Sequence, residues 1–273
     1  MVRVTSTDRR AALRVGAGLV AGGAFAGACS TSGSASRPSS GASPGPPSPP
    51  SPAPASATSP AGPRPAPAPR AFPGQPAQIT HGPRGRPRVA LTFHGQGEPA
   101  LAEALLAEAE RHGARVTVLA VGTWLDEHPG LARRILDGGH DLGNHTHRHL
   151  DINAMAEAEA RAEIAECALR LKRLTGSVGT WFRPSRTALA SPLVERLARA
   201  AGYPHVLSYD VDSLDFTSPG APAVTANVLR EVRDGSVVSL HFGYADTLAA
   251  LPAVLDELAR RGLRAVTTTE LIG

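Results

Sequence analysis

The sequence predicts a single α/β domain, a distorted (β/α)7 barrel of parallel strands, at residues 86–273. Seven short β-branched and apolar runs recur along this segment, and most precede a stretch with apolar residues at three- and four-residue spacing. Strands that are continuous apolar runs are typical of a parallel sheet covered by helices. Seven such units favour a barrel, and an open doubly wound sheet is the alternative.

The predicted elements follow one another in the order strand, then helix. The strands are expected at 88–94, 116–121, 141–145, 180–183, 206–210, 236–242 and 264–269. The helices are expected at 99–112, 131–137, 156–174, 192–201, 224–233 and 246–261.

Residues 1–29 have the features of an export signal. Arg9 and Arg10 precede an uncharged run at 15–28, which is too short to span a membrane and ends in small residues. The paired arginines resemble a twin-arginine signal, and the residues up to Cys29 resemble a bacterial lipobox. We therefore expect export to the cell envelope or the extracellular space, with a lipid on Cys29 as the membrane anchor.

Residues 30–85 are expected to form a disordered linker. Up to about residue 78 the sequence is almost wholly Ser, Pro, Ala and Gly, without apolar periodicity. Such a composition buries too little apolar surface to offset the entropy lost on ordering, and its prolines favour extended conformations. The segment is therefore predicted to be a stalk that lets the folded domain reach the cell wall.

The charge of the folded segment argues against one class of function. The whole chain has a formal net charge of +4, but residues 86–273 contain 20 Lys and Arg and 23 Asp and Glu, a formal charge of −3. Nucleic-acid binding depends mainly on basic side chains that neutralise phosphates. We therefore expect no nucleic-acid partner.

The run His145-Thr146-His147-Arg148-His149 predicts a metal site. The imidazoles of His145 and His149 converge on one ion if the backbone turns helical after the preceding strand. Neutral imidazole suits Zn²⁺ and its neighbours, so zinc is the expected divalent ion, with cobalt and nickel as alternatives. The other interpretation is a solvated histidine cluster on a loop.

Several more polar residues follow predicted strands. They lie at or just beyond the carboxyl ends of the strands, the edge at which βα barrels assemble their active sites. One such residue alone is compatible with a structural role, but their shared placement at one rim indicates a functional site. The full set is His94, His145, Arg183, Asp210, Asp212 and His241.

These residues stand in motifs that resemble those of the polysaccharide deacetylases of carbohydrate esterase family four. The run 145–149 fits the H-[S/T]-x-x-H metal motif, and Arg183-Pro184 after Trp181-Phe182 resembles the arginine motif. The run 212–216 resembles D-x-x-D-[W], and Leu240-His241 resembles the motif that contributes the general acid. The resemblance covers essentially the whole folded segment.

The resemblance implies a function and a set of roles. Members of this family have a distorted (β/α) barrel and remove acetyl groups from N-acetylated sugars or from O-acetylated xylan. His145 and His149 are implied as metal ligands and His241 as the general acid. Arg183, Asp212 and Asp215 are implied as further members of the catalytic site.

The chain departs from this family at the first motif. Where the family has T-F-D-D, with the first Asp as catalytic base and the second as a metal ligand, this chain has Thr92-Phe93-His94-Gly95. Both carboxylates are therefore replaced, and Gly95 supplies no ligand.

His94 is the candidate to replace them, in one of two ways. As a metal ligand it would complete, with His145 and His149, a three-histidine zinc site with an open water position. As a general base it would take a proton from water, while Arg183 beside it would disfavour the imidazolium form. One neutral imidazole does not serve well in both roles, and the sequence leaves the choice open.

Two functions from different classes are compatible with these residues. The first is a metal-dependent hydrolase that removes acetyl groups from acetylated cell-wall polysaccharide or peptidoglycan, and the alternative is a glycan-binding module without turnover. Loss of the carboxylates favours the module, whereas retention of the acid and its partners favours the enzyme, which we take as the main hypothesis. The aromatic candidates for stacking on sugars are Phe93, Trp181, Phe216, Phe242 and Tyr244.

Overall fold

The computed structural model describes residues 66–273. The predicted export signal, the lipid-attachment residue Cys29 and the linker up to residue 65 lie outside the described residues. Within residues 66–273, no helix is long and apolar enough to cross a membrane.

Strands and helices alternate along the described residues. The strands are β1 (Gln78–Ile79), β2 (Arg88–Gly95), β3 (Thr117–Ala120), β4 (Asp141–Asn144), β5 (Val206–Leu207), β6 (Val211–Asp212), β7 (Val237–His241) and β8 (Arg264–Ala265). The helices are α1 (Pro99–Arg111), α2 (Gly122–Glu127), α3 (Gly130–Asp137), α4 (Glu157–Thr175), α5 (Pro192–Ala200), α6 (Ala221–Glu231), α7 (Ala245–Arg260) and α8 (Thr268–Ile272). Short 3₁₀ turns at Ile152–Ala154 and Asp215–Thr217 follow β4 and β6.

β2 lies at the centre of a parallel sheet. The strand order is β4-β3-β2-β7-β6, and β8 pairs with the first residues of β2. β1 pairs with β5, and isolated bridges at Phe182 link Asn144 of β4 to Val206 of β5. An isolated bridge joins His81, after β1, to Ser236, before β7, but no ladder within residues 66–273 joins β1 or β5 to β6 or β7, so the ring of strands is not closed by a continuous ladder. The prediction of an α/β fold with a parallel sheet is confirmed.

Alternation along β2 directs His94 to the inner face of the sheet. Phe93 belongs to the outer apolar core, which is formed with α1, α6 and α7, whereas Ala90 packs with inward-facing residues such as Trp181. Because side chains of a strand alternate between faces, His94 shares the inner face with Ala90. His94 is also the register partner of His241 in β7, which places both imidazoles side by side at the carboxyl ends of adjacent strands.

The segment 66–85, which the sequence predicts to be linker, packs on the domain. Phe72 stacks on Trp181 with 5.4 Å between ring centroids, and its N–H donates to Nε2 of His205 over 2.9 Å. Ile79 in β1 is fully buried. These apolar residues stand singly in a Pro- and Ala-rich context and pack on residues more than 100 positions away, so local periodicity does not reveal them.

Three other elements differ from prediction. The predicted strand 180–183 makes only the bridges of Phe182. Helix α2 is unpredicted, and the predicted strand 264–269 ends at Ala265 because Thr267 is the N-cap of α8. Thr267 and Glu270 form a capping box, in which the Thr267 hydroxyl accepts from the N–H of Glu270 and the Glu270 carboxylate accepts from the N–H of Thr267.

Candidate functional site

A cleft of about 470 Å³ opens at the carboxyl ends of β2, β6 and β7. It lies at the edge of the sheet where the sequence predicts the site. The side chains that line it come from the ends of these strands, from the loops after β2, β4, β6 and β7, and from the segments before α5 and β6. Its lining is formed by His94, Gln96, His149, Arg186, Thr187, Ala188, Tyr209, Asp212, Phe216, Ser239, His241 and Tyr244.

The backbone of the histidine run does not turn helical. Thr146 and His149 have positive φ values of 68° and 56°, which are unusual for residues with a Cβ and rare for a β-branched one. The Thr146 N–H donates to Oδ1 of Asn144, and the buried Glu163 carboxylate accepts from the N–H groups of His147 and Arg148. These bonds hold the turn, and it brings the rings of His145 and His149 to 4.9 Å between centroids.

His145 presents a free nitrogen lone pair. Its Nδ1 lies 3.1 Å from the carbonyl oxygen of Arg183, which can only accept, so Nδ1 carries the hydrogen and Nε2 has the lone pair. Nε2 is buried and has no hydrogen-bond partner. Burial, followed by the neighbouring His149, holds the pKa of His145 well below its usual value and keeps the ring neutral. Buried acceptors in proteins normally have a partner. An unpaired one such as Nε2 of His145 is therefore suited to bind a metal ion or to accept a proton.

Arg183 is a fully buried cation that binds the inner wall of the site. Its Nε donates to the carbonyl oxygen of Leu207 and one terminal nitrogen to that of Ser208, over 3.1 and 2.9 Å. The other terminal nitrogen lies 3.1 Å from Nε2 of His94. Burial lowers the pKa of Arg183 to about 10, so the guanidinium is still charged at neutral pH.

The contact with Arg183 determines what His94 can do. A guanidinium has only donors, so Nε2 of His94 is the acceptor and its lone pair is occupied. Burial is the main cause that holds the pKa of His94 well below its usual value, and His145, His241 and Arg183 add to it. In the neutral ring the hydrogen is then on Nδ1, because each nitrogen of imidazole takes one role. His94 is therefore a hydrogen-bond donor, and both predicted roles require a lone pair that it lacks in this geometry.

His241 is held by a buried carboxylate. Its Nδ1 lies 2.7 Å from Oδ1 of Asp215, whose other oxygen accepts from the His241 N–H and from the Thr247 hydroxyl. Asp215 fixes the tautomer in which Nδ1 donates and Nε2 is free to exchange a proton. The ring centroids of His241 and His94 lie 4.3 Å apart. The predicted acid and its carboxylate partner are thus brought together.

The other two aspartates lie in different places. Asp212 lines the cleft, and its Oδ1 accepts from the N–H of Leu214 over 3.0 Å. Asp210, which the sequence places at the rim, is 2.7 Å from Arg84 and accepts from the N–H of Val237, the first residue of β7. That contact puts Asp210 at the opposite end of the barrel, because the predicted strand 206–210 is interrupted and its continuation, β6, begins one residue later.

The side chains present do not form a three-ligand metal site. Within residues 66–273, no group of three or more His, Cys, Asp or Glu side chains is arranged to hold an ion. His145 and His149 supply two imidazoles, and Nε2 of His94 accepts from Arg183 instead. A Cβ at Gly95 would lie 2.9 Å from Cγ1 of Val118 and 3.1 Å from Cα of Ala120. The packing of β2 against β3 therefore leaves no room for a side chain at position 95 unless β3 shifts.

The aromatic candidates separate into two groups. Phe93, Trp181 and Phe242 are at most 2% exposed and belong to the core. Phe216 is 46% exposed, and it lines the cleft together with Tyr244. Their ring centroids lie 5.6 and 5.8 Å from that of His241, so these two are available to stack on a sugar.

Sequence reasoning missed two residues near the site. Glu163 holds the histidine turn from α4, and only its spacing from the turn in three dimensions reveals that role. Arg186, with a positive φ of 57°, lines the cleft and donates from Nε to the carbonyl oxygen of His149 over 2.9 Å. Its position three residues after Arg183 is the one signal that the sequence offered.

Several proteins to which this chain is similar are named as deacetylases. The peptidoglycan-N-acetylglucosamine deacetylase of Bacillus cereus is 29% identical over 194 residues, which are 70% of this chain and 90% of that protein. The chitooligosaccharide deacetylase of Rhizobium leguminosarum is 29% identical over 212 residues, with 71% and 92% covered. A CE4 family pseudoenzyme of Bacillus anthracis has a similar fold, with a TM-score of 0.69 and 23% identity over 73% of this chain and 70% of its own.

The family model described as polysaccharide deacetylase matches residues 81–206. This range contains His94, the histidine turn and Arg183. The structural similarity extends over the α/β fold of the described residues. Over residues 81–206 the chain is therefore similar to the polysaccharide deacetylase family, and its described residues have the fold of a CE4 family protein.

Proposed function

We propose that this chain is an exported hydrolase that removes acetyl groups from acetylated polysaccharide of the cell wall, with N-acetylated glycan as the main substrate class and O-acetylated glycan as the second. The relatives support the substrate class, because their names refer to peptidoglycan and chitooligosaccharide. The observation that carries the proposal is the pair His241–Asp215, which faces a cleft large enough for a sugar. A histidine held by a buried carboxylate can act as a general base and then as a general acid.

His241 would carry out both proton transfers. Its Nε2 takes a proton from water as the water oxygen bonds to the acetyl carbon, and a tetrahedral intermediate forms. The same proton then passes to the departing nitrogen as the carbon–nitrogen bond breaks, which releases acetate and the free amine. Asp215 stabilises the imidazolium that exists between the two transfers.

His94 would stabilise the oxygen of the tetrahedral intermediate. Its Nδ1–H is the hydrogen that the Arg183 contact leaves on the ring. A neutral donor that is fixed in a buried site is well suited to an oxygen that gains negative charge during the reaction. Arg183, behind His94, adds positive charge on the same side.

The predicted metal does not enter this chemistry. Open catalytic zinc sites have three protein ligands, and the described residues provide two imidazoles, at His145 and His149. A divalent ion on these two residues stays a prediction, with weaker affinity than a site with a carboxylate ligand has. No step above depends on it.

The test is acetate release from peptidoglycan and from chitooligosaccharide by the full chain, with the metal content measured in the same sample. We expect turnover that His241→Ala abolishes and that His128→Ala, a partly exposed histidine outside the cleft, leaves unchanged. Chelation followed by addition of zinc, cobalt or nickel shows whether an ion contributes. Absence of turnover under every metal condition would overturn the proposal.

The second candidate is a glycan-binding module without turnover. The packing of Gly95 against β3 favours this candidate, because it leaves no room at position 95 for a side chain that could bind a metal ion. Binding of acetylated oligosaccharide without acetate release supports this candidate. In that case Phe216→Ala should weaken binding roughly fivefold, since an exposed aromatic that stacks contributes about 1 kcal/mol. Leu169→Ala, at an exposed leucine of α4, is the matched control.

Export and lipid attachment through Cys29 are part of the proposal and rest on residues 1–29 alone. Cys29→Ser should release the lipid-dependent part of membrane association. Unchanged retention of this variant in the membrane after a high-salt wash would contradict lipid anchoring.

A further inference from the structure

Four arginines surround one shallow cavity of about 260 Å³ on the described domain. Arg70 comes from the segment before β1, Arg88 begins β2, Arg115 precedes β3 and Arg264 begins β8. Arg88 and Arg264 are register partners in adjacent strands, so the backbone itself sets them side by side. We call this group the arginine face.

Carboxylates neutralise only a small part of the arginine face. Glu270 is the acidic side chain in the lining, and it pairs with Arg115 over 2.6 Å. Arg88 donates to the carbonyl oxygen of Glu270, and the guanidinium of Arg70 lies over the ring of Phe72. Four cations against one carboxylate leave three positive charges, and a terminal carboxylate at Gly273 would reduce this excess to two.

The excess is local. Residues 66–273 contain 22 Lys and Arg and 23 Asp and Glu, so the described domain as a whole is close to neutral. A concentration of positive charge on a neutral domain produces a directional attraction to anionic surfaces. Arg70, Arg115 and Arg264 are exposed, and Arg88 is partly exposed. All four are therefore accessible to such a surface.

The arginine face lies at the pole opposite the cleft. Arg88 begins β2 and His94 is near its end, six residues later. At about 3.3 Å per residue, roughly 20 Å separate the two ends of the strand. The chain also enters the described domain at this pole, because Ala66 and Pro67 line a cavity together with Arg115 and Glu270, which both belong to the lining of the arginine face.

We infer that the arginine face rests on the anionic phospholipid headgroups of a membrane, so that the cleft points away from the membrane and towards the wall. The entry of the chain at the same pole favours a membrane over another polyanion, because a lipid on Cys29 would tether the domain from that side. Each basic residue near an anionic bilayer adds to the attraction, and the effect weakens with salt. This inference does not depend on catalysis.

The test compares vesicle binding of full-length chains that carry Cys29→Ser, so that no lipid contributes. Vesicles of phosphatidylcholine alone are compared with vesicles that contain phosphatidylglycerol. The apolar run 15–28 acts in both, whereas Arg3, Arg9, Arg10 and Arg14 also favour the anionic vesicles. The change in the ratio of the two partition coefficients between parent and variant therefore reports the arginine face. We expect this ratio to exceed one at low salt and to fall roughly tenfold or more in Arg70→Glu/Arg264→Glu.

The matched control is Arg161→Glu/Arg196→Glu, which changes the net charge equally at exposed residues of α4 and α5. It should keep the ratio within about twofold of the parent, since the charge change lies outside the arginine face. A ratio near one in the parent, or an equal loss in the control, would overturn the inference. Displacement by millimolar inorganic phosphate at constant ionic strength would also overturn it, because the cavity would then be a discrete phosphate site. Both variants should release acetate as the parent does.

Discussion

Arg183 donates to Nε2 of His94 over 3.1 Å, and this one contact assigns the tautomer of His94. Nε2 is occupied and Nδ1 carries the hydrogen, so His94 acts as a donor. In place of the ligand or base that the sequence leaves open, we propose this donor role.

Asparagine at position 94 tests that role. Its amide nitrogen stands close to the place of Nδ1, so His94→Asn should retain acetate release within about tenfold, whereas His94→Ala should lose about a hundredfold or more. ¹⁵N chemical shifts of His94 should show the Nδ1–H form at pH 7. His94→Asp places a carboxylate beside Arg183, and a turnover above that of the parent would instead show that a base is needed there.

The carboxylate behind His241 should be essential for turnover. Asp215→Asn keeps the shape but lets the amide donate to Nδ1, which favours the wrong tautomer, and kcat should fall by roughly a thousandfold or more. Thr247→Val removes one of the three hydrogen bonds to the Asp215 carboxylate and should lower kcat much less. Equal losses in the two variants would point to disrupted packing around Asp215 as the cause.

Position 95 should not accept the family's aspartate. A Cβ there meets Val118 and the backbone of Ala120, so Gly95→Asp should lower the free energy of unfolding by about 1–3 kcal/mol. Zinc affinity, measured by calorimetric titration, should not rise. In the double variant Gly95→Asp/Val118→Ala, the smaller side chain at position 118 removes the steric clash. A gain in zinc affinity in this double variant alone would show that Val118 prevents metal binding at position 95.

Stability should decrease below neutral pH because of the buried imidazoles. Burial, then Arg186, lowers the pKa of His149 to about 4, and burial also holds those of His94 and His145 well below 6.5. The unfolded chain takes up protons from pH 6.5 downwards, whereas the folded chain does not until the lower pKa is reached. The stabilisation is therefore complete above pH 6.5 and declines as the pH falls.

Each of these three histidines should lower the free energy of unfolding by about 1 kcal/mol as the pH falls from 7 to 5.5. Urea denaturation at the two pH values measures the change. His149→Gln should reduce the change by about 1 kcal/mol, and the rest comes from His94, His145 and His140, whose pKa burial also lowers. A stability that is independent of pH in this window would show that these imidazoles are accessible to protons in the folded state.

The order of the elements was predictable because it depends on local patterns. The buried runs of β2, β3, β4 and β7 and the helices that follow them show their periods within ten to twenty residues, and these periods require a covered parallel sheet. The placement of His94, His145 and His241 at one edge follows from the same patterns, since parallel strands end together.

Three features depended on contacts between distant parts of the chain. Asp210 bonds to Arg84 and lies at the far pole, although it is two residues from Asp212, which lines the cleft. Phe72 is ordered by Trp181, and the tautomer of His94 by Arg183. A hydrogen bond or ring contact between residues 89 to 126 positions apart leaves no local period in the sequence.

The sequence by itself therefore determined the fold class, the family resemblance and the placement of His94 and His241 at one edge of the sheet, because each depends on short-range spacing. Only the tertiary structure decided which nitrogen of each imidazole is free, that a carboxylate does not fit at Gly95, and that arginines gather at the opposite pole. Those properties depend on single distances of about 3 Å between segments, and packing alone sets such distances.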